Sequence, residues 1–353
     1  MSEEAQILCE TRGKLGVITL NRPRALNSLS LDMLEGIDNA LDRFETDPEV
    51  AAVLIRGAGE KGLCAGGDIV SLYHLMKADR REDGDAYFRK EYTLNHRISQ
   101  YPKPYISLMD GVTLGGGVGA SAHGSHRIVT ERTRTGMPET VIGFCPDIGG
   151  HKILAGAPNE LGTLMAMTGR HVNAGDALAV GLADYFVPSD KLEELVSELE
   201  SAVDTESVTA TIERFTEQAP DSVLEQNAQW IARAFAGDSA EKIRDAVAAE
   251  AEKGNELAAE ALKAFEYNSP TGIKMALIGV RRAAHTTLAE VLNADFLMSA
   301  NAMRGHDLQE GIRALVIDKD RTPHWEHATL EEVSEEHAAS FFEPIDGVEP
   351  LGL

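Results

Sequence analysis

Residues 105–122 read YISLMDGVTLGGGVGASA, and this stretch joins a candidate strand to a candidate helix. The strand is predicted over residues 105–109, and the glycines of residues 115–117 open a run of small residues that favours a helix. Because ordered glycine costs conformational entropy, such a run indicates tight packing or close approach of the backbone to a ligand. A strand that leads directly into a helix is typical of an α/β fold.

The same alternation of strand and helix patterns extends through roughly the first 190 residues. The strand patterns then stop, and segments of helical periodicity rich in Ala, Glu and Leu follow. We therefore predict an α/β core over residues 1–200 and a helical C-terminal region over residues 201–353. The predicted strands lie at 16–20, 51–55, 105–109 and 127–130, and the predicted helices at 31–45, 85–100, 190–203, 221–235, 239–252, 255–266, 271–283 and 287–303.

Composition and charge narrow the class of protein. The 353 residues carry a net charge of −24, which would repel nucleic acid and anionic membranes, so we expect neither as a partner. Neither the three cysteines nor the histidines have metal-ligand spacing, so reduced thiols and no metal site are predicted. No segment approaches the roughly 18 apolar residues of a membrane span. Because the opening residues lack the features of a targeting peptide, we expect a cytoplasmic protein.

Two carboxylates stand out in residues 136–150, which read GMPETVIGFCPDIGG. Glu139 and Asp147 each follow a proline, and the residues between them are mostly apolar. An apolar environment raises the pKa of a carboxyl group and suits it to acid–base chemistry, although surface turns would also accommodate both acids. Cys145 would act as a nucleophile only if folding supplied a basic partner such as His126 or His151, so we favour a core thiol.

Two further segments are candidates for function. Residues 63–69 read LCAGGDI, and their glycines allow backbone N–H groups to point at a ligand before a helix begins. An ordinary strand-to-helix turn is the alternative there, as tight helix packing is for residues 115–117. Glu91 lies in the predicted helix 85–100, on a face that Phe88, Tyr92 and Asn95 can share, and a solvated helix acid is the interpretation that the sequence alone favours.

Taken in order, these segments resemble the crotonase (enoyl-CoA hydratase/isomerase) superfamily. The resemblance implies a spiral of ββα units followed by a helical C-terminal region, and it implies binding of coenzyme A thioesters. It also implies an oxyanion hole, a pair of N–H groups that hold the thioester carbonyl, at Gly67 and Gly116. The motifs that carry the resemblance are LNRPRALN at 20–27, CAGGD at 64–68, LGGG at 114–117, MPET at 137–140, and the segment from Thr168-Gly169 to Gly181-Leu182.

The acids indicate which branch of the superfamily this chain resembles. Hydratases use two glutamates, of which one matches Glu139 and the other falls on Gly119, which has no side chain. Hydratases have no acid at the position of Asp147. The 3-hydroxyisobutyryl-CoA hydrolase branch, which this chain resembles, has an aspartate there. His151-Lys152 departs from the usual residues of that branch and puts the preferred acyl group in doubt. The motifs shared with the branch are PET at 138–140, PDIGG at 146–150, EYTLN at 91–95, MRGHD at 303–307, EGIRA at 310–314, IDKD at 317–320 and PHW at 323–325.

The branch implies an enzyme that hydrolyses a short 3-hydroxyacyl-CoA thioester in valine catabolism, 3-hydroxyisobutyryl-CoA being the expected substrate. Glu139 would be a general base or a nucleophile, Asp147 would bind the 3-hydroxyl group, and Glu91 would contact the substrate. No metal or redox cofactor is implied, since coenzyme A is part of the substrate. The implied coenzyme A contacts are Arg24, Ala25, Ala65, Ile69 and Lys319.

Two other functions remain open at this stage. One is hydratase or isomerase activity of the same superfamily, against which Gly119 argues. The other is a non-catalytic member that binds coenzyme A. The sequence also leaves the oligomeric state open between a monomer and a trimer or hexamer.

Overall fold

The computed structural model describes residues 5–353. Its strands all lie before residue 187, as the sequence patterns predict, and the elements after that point in the described residues are helical. The strands are β1 (Ile7–Arg12), β2 (Leu15–Leu20), β3 (Ala52–Gly57), β4 (Gly62–Cys64), β5 (Tyr105–Met109), β6 (Val112–Leu114), β7 (His126–Val129), β8 (Arg134–Gly136) and β9 (Tyr185–Phe186).

A six-stranded sheet in the order β1-β2-β3-β5-β7-β9 forms the framework of the α/β part. Strands β1 and β2 are antiparallel, whereas β2, β3, β5, β7 and β9 run parallel to one another. The four predicted strands are β2, β3, β5 and β7, and all four are confirmed. They were recognisable because parallel strands buried on both faces consist largely of apolar residues. Strands β4, β6 and β8 form a second, three-stranded sheet that the sequence patterns did not reveal.

The helices confirm the predicted helical segments to within a few residues at each end. The sequence missed several short ones, since a helix of one or two turns shows too few periods to be recognised. The helices are α1 (Leu31–Thr46), α2 (Ile69–Lys77), α3 (Arg81–Ser99), α4 (Gly116–Gly119), α5 (Gly150–Ala155), α6 (Leu161–Thr168), α7 (Ala174–Ala179), α8 (Leu192–Leu199), α9 (Thr205–Phe215), α10 (Val223–Gln226), α11 (Ala228–Phe235), α12 (Ala240–Ala251), α13 (Glu256–Tyr267), α14 (Pro270–Ala283), α15 (Leu288–Ala302), α16 (Asp307–Ile312) and α17 (Glu335–Ser340).

The chain forms two compact units whose segments interleave along the sequence. The first unit contains the described residues up to Asp68 together with Thr93–Thr135 and Val172–Ser222. The second unit contains Ile69–Tyr92, Gly136–His171 and Val223–Leu353. Residue 200, the predicted domain boundary, lies near the change from mixed to helical structure. That the chain divides into two domains at this residue stays a prediction. No helix within the described residues is long and apolar enough to cross a membrane.

Each unit has its own apolar interior. In the first unit, side chains of the parallel sheet pack against α8 and α9, which cover one of its faces. In the second unit, the central helix is α14, which packs against α5, α6 and α17. Helix α14 has buried residues on every turn, which explains why its sequence has few charges in the middle.

Candidate active site

The two glycine segments singled out in the sequence lie side by side in the first unit. Gly67 pairs with Leu29 in an isolated parallel bridge, which uses the carbonyl of Gly66 and the N–H of Asp68. Because successive N–H groups of extended backbone point in opposite directions, the N–H of Gly67 points away from the bridge. The N–H of Gly116 opens α4, where the first N–H groups have no acceptor within the helix.

Close approach of the backbone explains the glycines in these segments. A Cβ atom at Gly117 would lie 2.5 Å from the carbonyl oxygen of Cys64, which only glycine avoids. The Cβ position of Gly66 lies 3.8 Å from the backbone nitrogen of Gly116, an ordinary contact distance that shows the two segments are adjacent. Gly115 has a φ of +49°, which side chains rarely allow. The structure therefore brings Gly67 and Gly116 into neighbouring segments, as an oxyanion hole requires.

Glu139 and Asp147 are both buried in the second unit. Glu139 opens a short 3-10 helix, Glu139–Ile142, and Asp147 lies in the loop that leads into α5. Their exposed fractions are 7% and 5%, so the alternative of two solvent-exposed turn acids is wrong. A buried carboxyl group without compensating donors favours its protonated form.

Helix α3 brings a third acid and a phenol to the same place. Glu91 is 2% exposed and Tyr92 is fully buried, so the interpretation of Glu91 as a solvated helix acid is wrong. The Tyr92 hydroxyl donates to Asp147 Oδ2 at 2.6 Å. Ser299 Oγ lies 2.5 Å from the Tyr92 oxygen and donates to it, because the only Tyr92 hydroxyl proton is already engaged.

Burial and mutual repulsion set the protonation of these acids. Burial, only partly offset by the hydrogen bond from Tyr92, raises the pKa of Asp147 to about 7. Burial and the charge of Asp147 raise the pKa of Glu139 well above its usual range. The same two causes raise the pKa of Glu91, although a hydrogen bond from Tyr87 opposes them. Near neutral pH these three acids, here called the acid cluster, hold fewer than three negative charges, as expected of groups that exchange protons.

Two carboxylate oxygens of the acid cluster are free to bind a ligand. Glu91 Oε1 and Glu139 Oε2 are shielded from solvent and have no hydrogen-bond partner within residues 5–353. Buried polar atoms in proteins nearly always have a hydrogen-bond partner. Two carboxylate oxygens without a partner in one cluster therefore indicate atoms that bind substrate or water.

A buried Asp–His pair supports the loop that carries Asp147, and sequence reasoning missed it. Asp295 on α15 accepts hydrogen bonds from the Gly149 N–H at 2.8 Å and from His151 Nδ1 at 3.1 Å. His151 is 1% exposed, and a Cβ atom at Gly279 of α14 would lie 2.2 Å from its Nε2. The one signal for Asp295 in the sequence was an acid within the otherwise apolar stretch of α15.

Cys145 is not arranged as a nucleophile. Burial raises the pKa of its thiol well above the usual range, and the charges of Asp295, Asp147 and Glu139 raise it further. Because the thiolate is the reactive form, this environment makes Cys145 inert. Neither histidine is available, since His151 is bound to Asp295 and His126 lies within hydrogen-bond distance of Ser125 and Thr209.

The residues expected to contact coenzyme A fall in both units. Arg24 and Ala25 lie in the 3-10 helix Pro23–Ala25, and the Ala65 N–H donates to the carbonyl of Leu26, so these three are neighbours in the first unit. In the second unit, Ile69 begins α2, which packs against α16 and the π-helical turn Arg313–Ile317. Lys319 follows that turn and is exposed, with a φ of +59°.

Comparison with known proteins agrees with this geometry. Residues 15–342 match the family model described as "Enoyl-CoA hydratase/isomerase". The chain is 39% identical to the mitochondrial 3-hydroxyisobutyryl-CoA hydrolase of Rattus norvegicus over 98% of its own length and 90% of the relative's. The human protein of the same name is 38% identical over 96% of this chain and 89% of the relative's length.

Two solved structures are similar over nearly the whole chain. A carnitinyl-CoA dehydratase from Mycobacterium thermoresistibile is 40% identical, with a TM-score of 0.91 and 98% of each chain covered. An enoyl-CoA hydratase from Rhodobacter sphaeroides is 38% identical, with a TM-score of 0.90 over 97% of this chain and 98% of that one. The α/β fold, the family model and these relatives together show that the chain belongs to the enoyl-CoA hydratase/isomerase family, the crotonase superfamily.

Proposed function

We propose that this protein hydrolyses a short 3-hydroxyacyl-CoA thioester, with 3-hydroxyisobutyryl-CoA as the preferred substrate, to the free acid and coenzyme A. The observation that carries the proposal is the buried Asp147, held by Tyr92 in an acid cluster with Glu139 and Glu91. Full-length similarity to proteins named 3-hydroxyisobutyryl-CoA hydrolase supports the same substrate. Such an activity belongs in valine catabolism.

The proposed reaction begins with attack on the thioester carbonyl carbon. If Glu139 is a general base, it takes a proton from water, the new C–O bond forms, and the C–S bond breaks to release coenzyme A. If Glu139 is a nucleophile, its carboxylate forms a mixed anhydride as the C–S bond breaks and coenzyme A leaves, and water then cleaves the anhydride to the free acid and Glu139. In either case the carbonyl oxygen gains negative charge, which we assign to the N–H groups of Gly67 and Gly116. Such donors are worth about 10²–10³ in rate each. No metal or redox cofactor enters either route.

Asp147 is proposed to read the 3-hydroxyl group of the substrate. Its Oδ2 atom accepts from Tyr92, and a carboxylate has further acceptor sites that a substrate hydroxyl could use. A site built to bind a hydroxyl group rejects an analogue without one, because a buried polar group is then left unpaired. Glu91, with its unpaired Oε1, is proposed as a second contact to the substrate.

A hydratase is the alternative, since the similar solved structures are named as a dehydratase and a hydratase. Water addition to an enoyl thioester would need a second acid where the superfamily has one. That position is Gly119, which is buried at the end of α4 and contributes no proton-transferring group. We therefore favour hydrolysis over hydration.

The remaining contacts and properties are proposed on the resemblance. Arg24, Ala25, Ala65, Ile69 and Lys319 are the proposed coenzyme A contacts. The cytoplasm is the proposed compartment, and three free cysteines suit its reducing conditions. The two relatives are named as mitochondrial, so fractionation of cells that express the untagged protein is the deciding measurement. Sedimentation of the purified chain would distinguish a monomer from a trimer or hexamer.

The test is the release of coenzyme A thiol, followed with a thiol reagent. We would compare 3-hydroxyisobutyryl-CoA, 3-hydroxypropionyl-CoA and isobutyryl-CoA, and assay hydration of crotonyl-CoA in parallel. Fast release from the two hydroxylated esters alone is the expected result. Hydration of crotonyl-CoA without any thiol release would overturn the proposal in favour of a hydratase. Stabilisation by coenzyme A without turnover of any thioester would indicate a non-catalytic member.

A further inference from the structure

Three metal-binding groups converge in the second unit outside the acid cluster. Glu326, His327 and His337 each offer one ligand atom, and these atoms all lie within 4.8 Å of one another. His337 belongs to α17, and the other two residues lie in the segment that precedes it. The proposed hydrolysis uses none of them, so their convergence needs a separate explanation.

Two imidazole nitrogens in this group lack partners. His327 Nδ1 and His337 Nε2 are both shielded from solvent, and neither has a hydrogen-bond partner within the described residues. The centroids of the two rings are 4.9 Å apart, and the ring planes are inclined by 57°. Leaving a buried polar atom unpaired is costly, so two unpaired nitrogens on neighbouring rings indicate a third species that binds both.

The backbone and one ring of the group are already held in position. The Glu326 N–H donates to Asp307 Oδ1 at 2.8 Å, and the His337 N–H donates to Ser334 Oγ at 3.0 Å. The ring of Phe341 packs edge-on against the ring of His337, with the two ring centroids 5.5 Å apart, and this contact restricts the orientation of His337. Because these contacts involve the backbone and Phe341 and leave the ligand nitrogens unused, binding of an ion would order few further groups.

We propose that Glu326, His327 and His337 form a binding site for a divalent transition metal ion, with Zn²⁺ as the expected occupant. Imidazole nitrogen and carboxylate oxygen are ligands that Zn²⁺ prefers, whereas Mg²⁺ and Ca²⁺ prefer oxygen alone. Ligand atoms about 2.1 Å from a zinc ion are at most about 4.2 Å apart, so small side-chain movements would complete the site. The exposed Glu326 leaves a path for the ion and a position for water.

The ion would join the segment around residue 326 to α17 and so stabilise the C-terminal part of the chain. The net charge of −24 favours binding of a cation in general, although nearby Glu331 and Glu335 are already paired with Arg244 and Lys274. Spacing could not reveal the site, because a Glu-His pair followed ten residues later by a single His matches no common zinc pattern.

The test is calorimetric titration of the chelator-stripped full chain, without a polyhistidine tag, with ZnCl₂ and separately with MgCl₂. We expect one equivalent of Zn²⁺ to bind, with no comparable binding of Mg²⁺. His327→Asn and His337→Asn should each weaken binding by at least about 100-fold, beyond the 10–100-fold typical of residues that only support a ligand. Glu326→Gln should weaken it by about tenfold or more. His285→Asn, which alters an exposed histidine elsewhere in the same unit, should bind as the wild type does.

A second measurement keeps the proposal open to refutation if a histidine variant fails to fold. Glu326 is exposed, so Glu326→Gln should leave the fold intact, which circular dichroism would verify. X-ray absorption at the zinc edge should show only nitrogen and oxygen ligands, with the scattering pattern of two imidazoles. Sulfur ligands at about 2.3 Å would mean that zinc is bound by cysteines and would overturn the site. Unchanged affinity in all three variants would overturn it as well.

Discussion

The hydroxyl of Tyr92 donates a hydrogen bond to Asp147 Oδ2 at 2.6 Å, and its oxygen accepts a hydrogen bond from Ser299 Oγ. The hydrogen bond from Tyr92 favours the charged form of Asp147 and partly offsets burial, and with both effects present the pKa of Asp147 is raised to about 7. Tyr92 therefore determines the pH range over which Asp147 can accept a substrate hydroxyl. The two residues are neighbours because the part of α3 that ends at Tyr92 and the loop before α5 belong to the same unit.

Replacement of Tyr92 by Phe should move the acidic limb of the kcat/KM profile to higher pH. The lost hydrogen bond stabilised the ionised carboxylate, so its removal raises the apparent pKa of the acid cluster. A hydrogen bond to a charged group is worth about 1.5–3 kcal/mol, which corresponds to a shift of about 1–2 pH units. Tyr101→Phe is the control, because that hydroxyl donates to the backbone carbonyl of Leu41. An unchanged limb in Tyr92→Phe would contradict the assigned role.

Replacement of Asp147 by Asn should reduce selectivity for hydroxylated substrates. The ratio of kcat/KM for 3-hydroxyisobutyryl-CoA over isobutyryl-CoA should fall by about 10–100-fold, which is the loss of one hydrogen bond to a charged group. Isobutyryl-CoA is the internal control because it lacks the hydroxyl group. Equal losses on both esters would show that Asp147 acts in the chemical step instead of in recognition.

Replacement of Glu139 by Gln should lower the rate of hydrolysis by about 10²–10⁴-fold, as expected for loss of a general base. Although Glu139→Gln lowers activity, it should raise the stability of the folded protein at neutral and higher pH. The pKa of Glu139 is raised in the folded state, so the carboxyl group lowers stability as the pH rises from its unfolded pKa of about 4.3 through the folded value. The melting temperature of Glu139→Gln should therefore match that of the wild type near pH 5 and exceed it near pH 8. A variant that is less stable at both values would attribute its low activity to damaged folding.

The pair His151 and Gly279 should be energetically coupled. A Cβ atom at Gly279 would collide with His151 Nε2, so Gly279→Ala should destabilise the protein by about 1–3 kcal/mol. Combination with His151→Ala should recover part of this loss, which a double-mutant cycle of denaturant unfolding would measure. Gly237→Ala is the control, because its Cβ atom would lie 3.9 Å from Ile243. Strict additivity of the two changes would mean that the structure does not accommodate His151 in this way.

The sequence predicted elements well where periodicity was long and apolar. Helices such as α1 and α14 and the buried strands β3 and β5 were recognised because each repeats its pattern over its whole length. The short strands β4, β6 and β8 were missed, although they position both glycine segments. Each of these strands has only three residues, which is too short for an alternation of apolar and polar residues to be recognised.

Sequence motifs predicted only part of the candidate site. Glu139 and Asp147 were found because they lie eight residues apart in one quoted stretch. Helical spacing placed Glu91 on a face with Phe88 and Tyr92, but a solvated acid was favoured because charged side chains are seldom fully buried. Asp295 lies 148 positions beyond Asp147, so only the fold could bring its charge to bear on the same loop.

Burial of several carboxyl groups in the acid cluster should also affect release of the acid product. A thioester is uncharged at its acyl group, whereas the acid released by hydrolysis is an anion. The environment that disfavours ionisation of Asp147 and Glu139 disfavours a further negative charge beside them for the same reason. The acid cluster would thus repel the product it generates, and the inhibition constant of the free acid should rise with pH as the cluster loses protons. The enzyme would be protected from product inhibition by the same carboxyl groups that cleave the ester.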